Sequence, residues 1–424
     1  MHNIGNLTII ALVILNIVVW LVFPPVYDGD PNFLRKYAGE VIGSNNIVLM
    51  ACSLFLATRP KWAEKYFGGL DKMYITHRHT GTAALLLIFV HVLTVPISTT
   101  GWRLGNYLAV ISFAGIVSIV LITLAPRIPF LNRLAGADYE DWKKLKRWIG
   151  VFFILGFFHS LTVDALDART AITWTMIFFI IGTVSYLYTE VFSGFFKKSL
   201  PYKVEAVKHP NNSSTEVTLR ARKHPIKKQR AGQFLFVRFP SDKALNESHP
   251  FTISSAPAED VLRLTIKASG NFTRDLFAKL KEGMDAVIQG AYGMFDYKTG
   301  GPKQIWIAGG IGVTPFLSFI RDMNGSLAHD VDFYYTVRHP EEALFLDEIK
   351  AADERHPRLK THIRFSATEG SLTIDYILKN LSGDIKDYHV YLCGPLPMIQ
   401  AFEKKFLELG LPKHQIHFEE FNFR

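Results

Sequence analysis

Apolar residues are spread unevenly along the chain, and their periodicity changes midway. The first half holds six long runs with little charge, predicting membrane-spanning helices at about residues 6–24, 43–58, 77–95, 106–125, 148–165 and 171–192. In 6-NLTIIALVILNIVVWLVF-23 no charged residue interrupts the run. It lacks a basic leader and a small-x-small cleavage site, so it reads as a retained helix rather than a signal peptide. Beyond Lys197 and Lys198 the pattern becomes short and alternating, as in 215-TEVTLRAR-222, 234-FLFVRF-239 and 261-VLRLTIKA-268, with Pro, Gly, Asn and Ser between. These segments predict a small antiparallel β-barrel. From about 303, strand-like runs (305-IWIA-308, 331-VDFYYTV-337, 388-YHVYL-392) alternate with helix-like ones at 313–323, 341–353 and 396–409, which indicates a parallel α/β sheet. The expected architecture is a six-helix all-α membrane bundle over 1–197, an antiparallel β-barrel over 198–300 and an α/β nucleotide-binding domain over 301–424.

Composition supports that division. With 49% hydrophobic and 20% charged residues the chain is not disordered, and a mean hydropathy of +0.14 is high for a wholly soluble protein. The net charge of +9 would suit a nucleic-acid partner, but the basic residues collect between apolar runs. Arg59, Lys61, Lys65 and Lys72 occupy one connection, and Arg127, Arg133, Lys143, Lys144, Lys146 and Arg147 another, so both are expected on the cytoplasmic side. Membrane lipid, not nucleic acid, is then the partner. The chain is expected to be a multi-pass cell-membrane protein with its N-terminus and C-terminal half in the cytoplasm. Two cysteines, Cys52 and Cys393, offer neither a disulfide framework nor a thiolate cluster.

Several segments of the second half carry cofactor chemistry. In 305-IWIAGGIGVTPF-316 a glycine-rich turn lies between strand and helix, where Gly309, Gly310 and Gly312 let backbone approach a pyrophosphate and the helix N-terminus offers free N–H groups. The stretch 249-HPFTISSAP-257 ends one barrel strand with side chains able to hydrogen-bond a flavin edge, 267-KASGNFT-273 sets Gly270 and Thr273 at a helix start, and 391-YLCGPLPMI-399 follows a later strand. In this order the segments resemble the ferredoxin-NADP reductase superfamily, in which an FAD barrel precedes a nicotinamide-binding domain. The resemblance implies that His249, Pro250, Phe251, Thr252 and Ser254 hold the isoalloxazine and ribityl chain of FAD. It assigns Lys267, Gly270 and Thr273 to the FAD pyrophosphate. Gly309, Gly310, Gly312, Thr314 and Pro315 would receive NAD(P)H, Cys393, Gly394 and Pro395 would border the nicotinamide, and Phe423 would cover the flavin ring. Arg338 stands where relatives contact an NADPH 2′-phosphate, whereas 366-SATEG-370 lacks a following basic residue, so NADPH and NADH both stay open.

Histidines inside apolar runs demand a partner and mark function. His77 and His91, fourteen residues apart on one helix, point to nearly the same side and stand about 21 Å apart along it. His159 lies well inside the fifth run, as His91 does in the third, so the two can meet at one depth and ligate a haem iron from opposite faces. His79 cannot share that face. With 142-WKKLKRWIGVFFILGFFHS-160, these residues resemble the transmembrane domain of the ferric reductase and NADPH oxidase family. That resemblance implies two b-type haems held by two histidines each from the third and fifth helices. Here Lys146 occupies the inner position of the fifth helix, leaving one or two haems open. The implied activity carries electrons from cytoplasmic NAD(P)H through FAD and haem to an outer-face acceptor, dioxygen or ferric iron. The alternative is a mono-haem flavoreductase that delivers them to a quinone or partner protein. Oligomeric state is not implied by either.

Overall fold

The computed structural model describes residues 4–97, 101–124, 145, 147–163, 166–192, 199–323 and 328–419. The chain divides into a helical unit, Met1–Gly68 with Lys72–Phe196, and a second unit, Lys197–Arg424 with Gly69–Asp71.

The helical unit contains α1 (Ile4–Val22), α2 (Phe33–Ala57), α3 (Leu70–Thr94), α4 (Leu104–Leu124), α5 (Ile149–Thr162) and α6 (Arg169–Leu187), the last running on as a π turn to Phe192. Among them α1, α2, α4 and α6 with its extension are long and apolar enough to cross a membrane. Helix α3 carries three histidines and Arg78, which reduce its apolarity, and α5 is shorter. Helix α2 begins ten residues before the apolar run that predicted it, because the charges in its first turns are satisfied: Lys36 pairs with Asp30 at 2.6 Å and Arg35 Nε donates to the Thr94 carbonyl at 3.0 Å. Apolar surroundings supply little sorting force between helices, so small residues and polar contacts do that work. Asn16 donates to Ser44 (2.9 Å, α1 to α2), Asn46 to the Ala84 carbonyl (2.6 Å, α2 to α3) and Ser112 to the Phe152 carbonyl (2.7 Å, α4 to α5). On α4 a Cβ at Gly115 would lie 2.3 Å from the Phe152 ring of α5, so the close approach needs glycine.

In the second unit, β1 (Leu200–Asn211), β2 (Ser214–Ala221), β3 (Phe234–Arg238), β4 (His249–Thr252), β5 (Val261–Lys267) and β6 (Asp285–Tyr292) form one sheet in the order β4-β3-β6-β1-β2-β5. Every pairing in it is antiparallel, and a single bridge, Ile253 to Leu264, joins the segments that end its two edges. Inward residues of the alternating strands, among them Val204, Val217, Leu219, Leu235 and Ile288, make its core. Helix α7 (Asn271–Lys279) lies between β5 and β6.

A five-stranded parallel sheet follows: β7 (Lys303–Gly309), β8 (Asp330–Val337), β9 (Leu359–Phe365), β10 (Tyr388–Cys393) and β11 (Ile416–Phe418), in the order β11-β10-β7-β8-β9. Helices α8 (Thr314–Asp322) and α9 (Leu346–Arg355) intervene before β9, and α10 (Ile374–Asn380) and α11 (Leu396–Glu408) after it. The helix expected at 341–353 starts later, since Pro340–Glu342 forms a separate 3-10 turn. Strands β9 and β11 and helix α10 were not among the elements read from the pattern; their apolar runs are short. One face of the sheet packs Trp306, Phe316, Phe319, Phe333 and Tyr391 into a core that also takes Phe295 and Tyr297 from the segment after β6, and the other packs Ile305, Ile307, Val390 and Phe406. Strand order reverses between β7 and β10, where Ala308 lies opposite Cys393. In open α/β sheets the crevice for a ligand opens beyond the carboxyl ends of strands at such a reversal.

Candidate functional site

The turn after β7 is at that reversal, and its three glycines have different reasons to be glycine. A Cβ on Gly312 would sit 2.3 Å from the Cys393 carbonyl oxygen, and one on Gly309 2.8 Å from Met398 Sδ. These two let β7 and the turn press against the Cys393–Gly394 backbone. Gly310 instead adopts φ +56° with open space before it, as a backbone meeting a ligand requires. Thr314, buried, and Pro315 open α8, whose first N–H groups face the same end. Pro395 is exposed and Gly394 half-buried beside them. Arg338 is exposed just beyond β8.

Cys393 is fully buried. Burial, helped by the negative charge of Glu419, pushes its thiol well above the ordinary range, so it sits there as a neutral S–H rather than a thiolate. Glu419, itself 3% exposed, is a residue that sequence pattern does not single out; a Cβ on Gly293 would stand 2.9 Å from its Oε1. Its segment, 418-FEEFNFR-424, is conspicuous in sequence for its phenylalanines, of which Phe423 lies outside the described residues.

The proposed flavin residues assemble on β4 and α7. His249, Pro250, Phe251 and Thr252 are β4, which pairs with β3, and Ile253 directly after it bridges to Leu264 of β5. The His249 ring stacks on Phe272, with centroids 3.9 Å apart, and lies 3.2 Å from Glu247. Phe272 was not singled out by sequence, although it stands inside 267-KASGNFT-273. Ser254 is fully buried with its hydroxyl 3.2 Å from that of Thr265, so its side chain serves the sheet. Lys267 pairs with Glu342 at 3.4 Å. The Thr273 hydroxyl accepts from the Gly270 N–H at 2.9 Å and shapes the start of α7. The open space before Gly310 leaves room for a dinucleotide backbone.

In the helical unit His91 (α3) and His159 (α5) face each other with ring centroids 6.3 Å apart. His91 Nδ1 is 2.8 Å from the Gly39 carbonyl and His159 Nδ1 is 3.0 Å from the Gly105 carbonyl. A carbonyl can only accept, so each Nδ1 carries the proton and each Nε2 keeps its lone pair for a metal. The separation can be gauged inside the same molecule: His389 and His417 share a direct 2.9 Å hydrogen bond and have centroids 5.2 Å apart. The His91–His159 centroids are about 1 Å farther apart than those of that bonded pair. Among the described residues no cluster of three or more His, Cys, Asp or Glu could hold a bare ion. Two imidazoles alone suit haem iron, which brings four nitrogens of its own. His77 lies on α3 against α2, its Nδ1 2.8 Å from the Ser53 carbonyl, while His79 is exposed. His77 and His91 thus both turn toward α2. Lys146 and the neighbouring basic residues 143 and 144 lie outside the described residues.

Comparison with known proteins places the second unit. An FAD-binding domain model matches residues 197–308 and an oxidoreductase NAD-binding domain model residues 306–404. The carnitine monooxygenase reductase subunit of Escherichia coli is 31% identical over 189 residues, which cover 43% of this chain and 56% of the relative. Flavohemoprotein A of Dictyostelium discoideum is 26% identical over 214 residues, covering 46% and 53%. The chain thus spans little more than half the length of these relatives. The crystal structure of a flavohemoglobin from Malassezia yamatoensis with bound FAD and heme superposes over 91% of this chain and 97% of its own, with a TM-score of 0.51 and 18% identity, a likeness of fold. The second unit is a ferredoxin-NADP reductase-like electron-transfer module, with an FAD-binding domain followed by an NAD-binding one.

Proposed function

We propose that this reductase module is fused to a haem-holding membrane bundle, and that the chain carries electrons from cytoplasmic NADPH or NADH to an acceptor at the outer face, dioxygen or ferric iron. Bound FAD supplies the exchange of a two-electron hydride for single electrons, and haem b a one-electron iron centre within the apolar layer. The observation that carries the reading is the His91–His159 pair: two imidazoles in apolar helices, 6.3 Å apart, with both outer nitrogens tied to backbone carbonyls. Ionisable groups in an apolar layer are costly to place and mark ligand or ion sites by default.

The remaining roles belong to this chain's own groups. Gly310 and the start of α8 receive the nucleotide pyrophosphate, and the segment from His249 to Ser254 holds the flavin. Gly394 and Pro395 border the nicotinamide, with the neutral Cys393 thiol buried behind them. The six helices serve as the membrane bundle, oriented by the basic connections. A second reading, in which the electrons reach a quinone or partner protein, rests on α5, which carries no second histidine over its described residues to serve with His77.

The purified full chain should show flavin and low-spin haem bands together, and anaerobic addition of NADH or NADPH should bleach the first and reduce the second. Flavin bleaching in a preparation that binds no haem would overturn the membrane part of the reading and leave a simple flavoreductase.

A further inference from the structure

Helix α8 does more than begin at the glycine turn. Its far end grips the flavin-binding segment. Ser318 Oγ donates to the Ser255 carbonyl at 2.8 Å, and Arg321 Nη1 donates to the Ser254 carbonyl at 2.8 Å. The two acceptors are consecutive and come directly after β4. The two donors, three apart, share one face of the helix.

Arg321 is otherwise an expensive residue at this place. Its side chain is 7% exposed, and a buried guanidinium is tolerated only when its donors are taken up. Nε and Nη2 meet the two oxygens of Glu348 at 2.7 and 2.8 Å, a bidentate pair, and Glu216 of β2 stands 3.6 Å from Nη2. The Phe345 ring lies 5.2 Å from its Cζ. One guanidinium therefore joins the antiparallel sheet, the backbone beyond β4 and helix α9. An apolar contact there would bury surface equally well but would let the helix slide, whereas directional bonds to two successive carbonyls set its register.

We propose that Arg321 and Ser318 are positioning residues, which hold α8 in register with the flavin segment and so set the approach of the nicotinamide to the flavin. The proposal rests on the reading of the second unit as a site for both FAD and NAD(P)H. Helix α8 has only nine residues, so a shift of its anchored end carries directly to Gly310–Thr314. Displacement of a reactant by about 1 Å can lower a rate some 100-fold without loss of binding.

The test uses the full-length protein in detergent. Arg321→Lys keeps the charge but loses the fork, and Ser318→Ala removes one hydroxyl. Rapid-mixing measurements of flavin reduction should show the limiting rate constant reduced roughly 10- to 100-fold in Arg321→Lys and several-fold in Ser318→Ala, with nucleotide affinity and FAD content near wild type. The long-wavelength absorbance of nicotinamide stacked on flavin should weaken in parallel. Should Arg321→Lys lose FAD, Ser318→Ala alone decides. A wild-type rate constant and stacking band in Ser318→Ala, or variants that only lose FAD while each remaining flavin is reduced at the normal rate, would overturn the proposal and leave a structural contact. Failure of NAD(P)H to reduce the wild-type flavin would instead overturn the functional reading, and the proposal with it.

Discussion

A neutral imidazole has one donor and one acceptor, and in an apolar helix the donor must be satisfied within the protein. Gly39 and Gly105 do this for His91 and His159, and glycine next to each ring is part of the arrangement: a Cβ on Gly43 would already lie 3.2 Å from the His91 ring. On the proposed reading, replacing His91 or His159 with Ala would leave a haem iron one protein ligand. Each variant should lose the low-spin haem spectrum and outer-face reduction while NAD(P)H still reduces the flavin. Absorption spectra of the purified variants check this, and unchanged haem bands in either would remove the pair from the site. His79→Ala, at an exposed position, should leave the spectrum as it is.

At the scale of elements, the glycine turn separates two effects that sequence alone merges. Gly310 looks into open space at a positive φ, so Gly310→Val should strain the turn by about 1–2 kcal/mol and obstruct the pyrophosphate. Flavin reduction should slow and FAD should stay bound. Gly312 has no such freedom. Its Cβ would strike the Cys393 backbone, so Gly312→Ala should act on stability, reducing it by about 1–3 kcal/mol as overpacking does. Thermal unfolding of both variants, together with nucleotide titration, distinguishes them. A Gly310→Val protein that lost FAD and kept its nicotinamide affinity would show that the two cofactor segments had been divided wrongly.

For the whole molecule the decisive quantity is the number of haems per flavin. His91 and His159 form one pair, and α5 offers no second histidine over its described residues to serve with His77, so on the proposed reading one tightly held haem per FAD is expected in the wild type. On that expectation Lys146, which lies outside the described residues, is not an iron ligand. Lys146→Ala should leave the stoichiometry unchanged, measured as haem against extracted flavin. Two haems per FAD, with one lost in Lys146→Ala, would make lysine an axial ligand. Two haems unaffected by that change would put the inner partner elsewhere.

Side-chain periodicity is a local property, and its consequences are readable before folding: helices at the six apolar runs, alternating strands after 200, a strand–turn–helix around 309–312, and two histidines at one depth. Composition and the order of the glycine segments added the cofactor class, which the FAD- and NAD-binding domain matches support. Pattern alone did not disclose that α2 begins at Phe33, since its first charges look unfit for such a helix until Asp30 and the Thr94 carbonyl meet them. Nor did it disclose the acceptors that give the site its geometry. Gly39 lies 52 residues from His91, Gly105 54 from His159, and Ser254 67 from Arg321. Each of those acceptors is a backbone carbonyl, a group every residue carries, so no residue type announces it. Only the packing of distant helices and strands selects which carbonyl comes within reach.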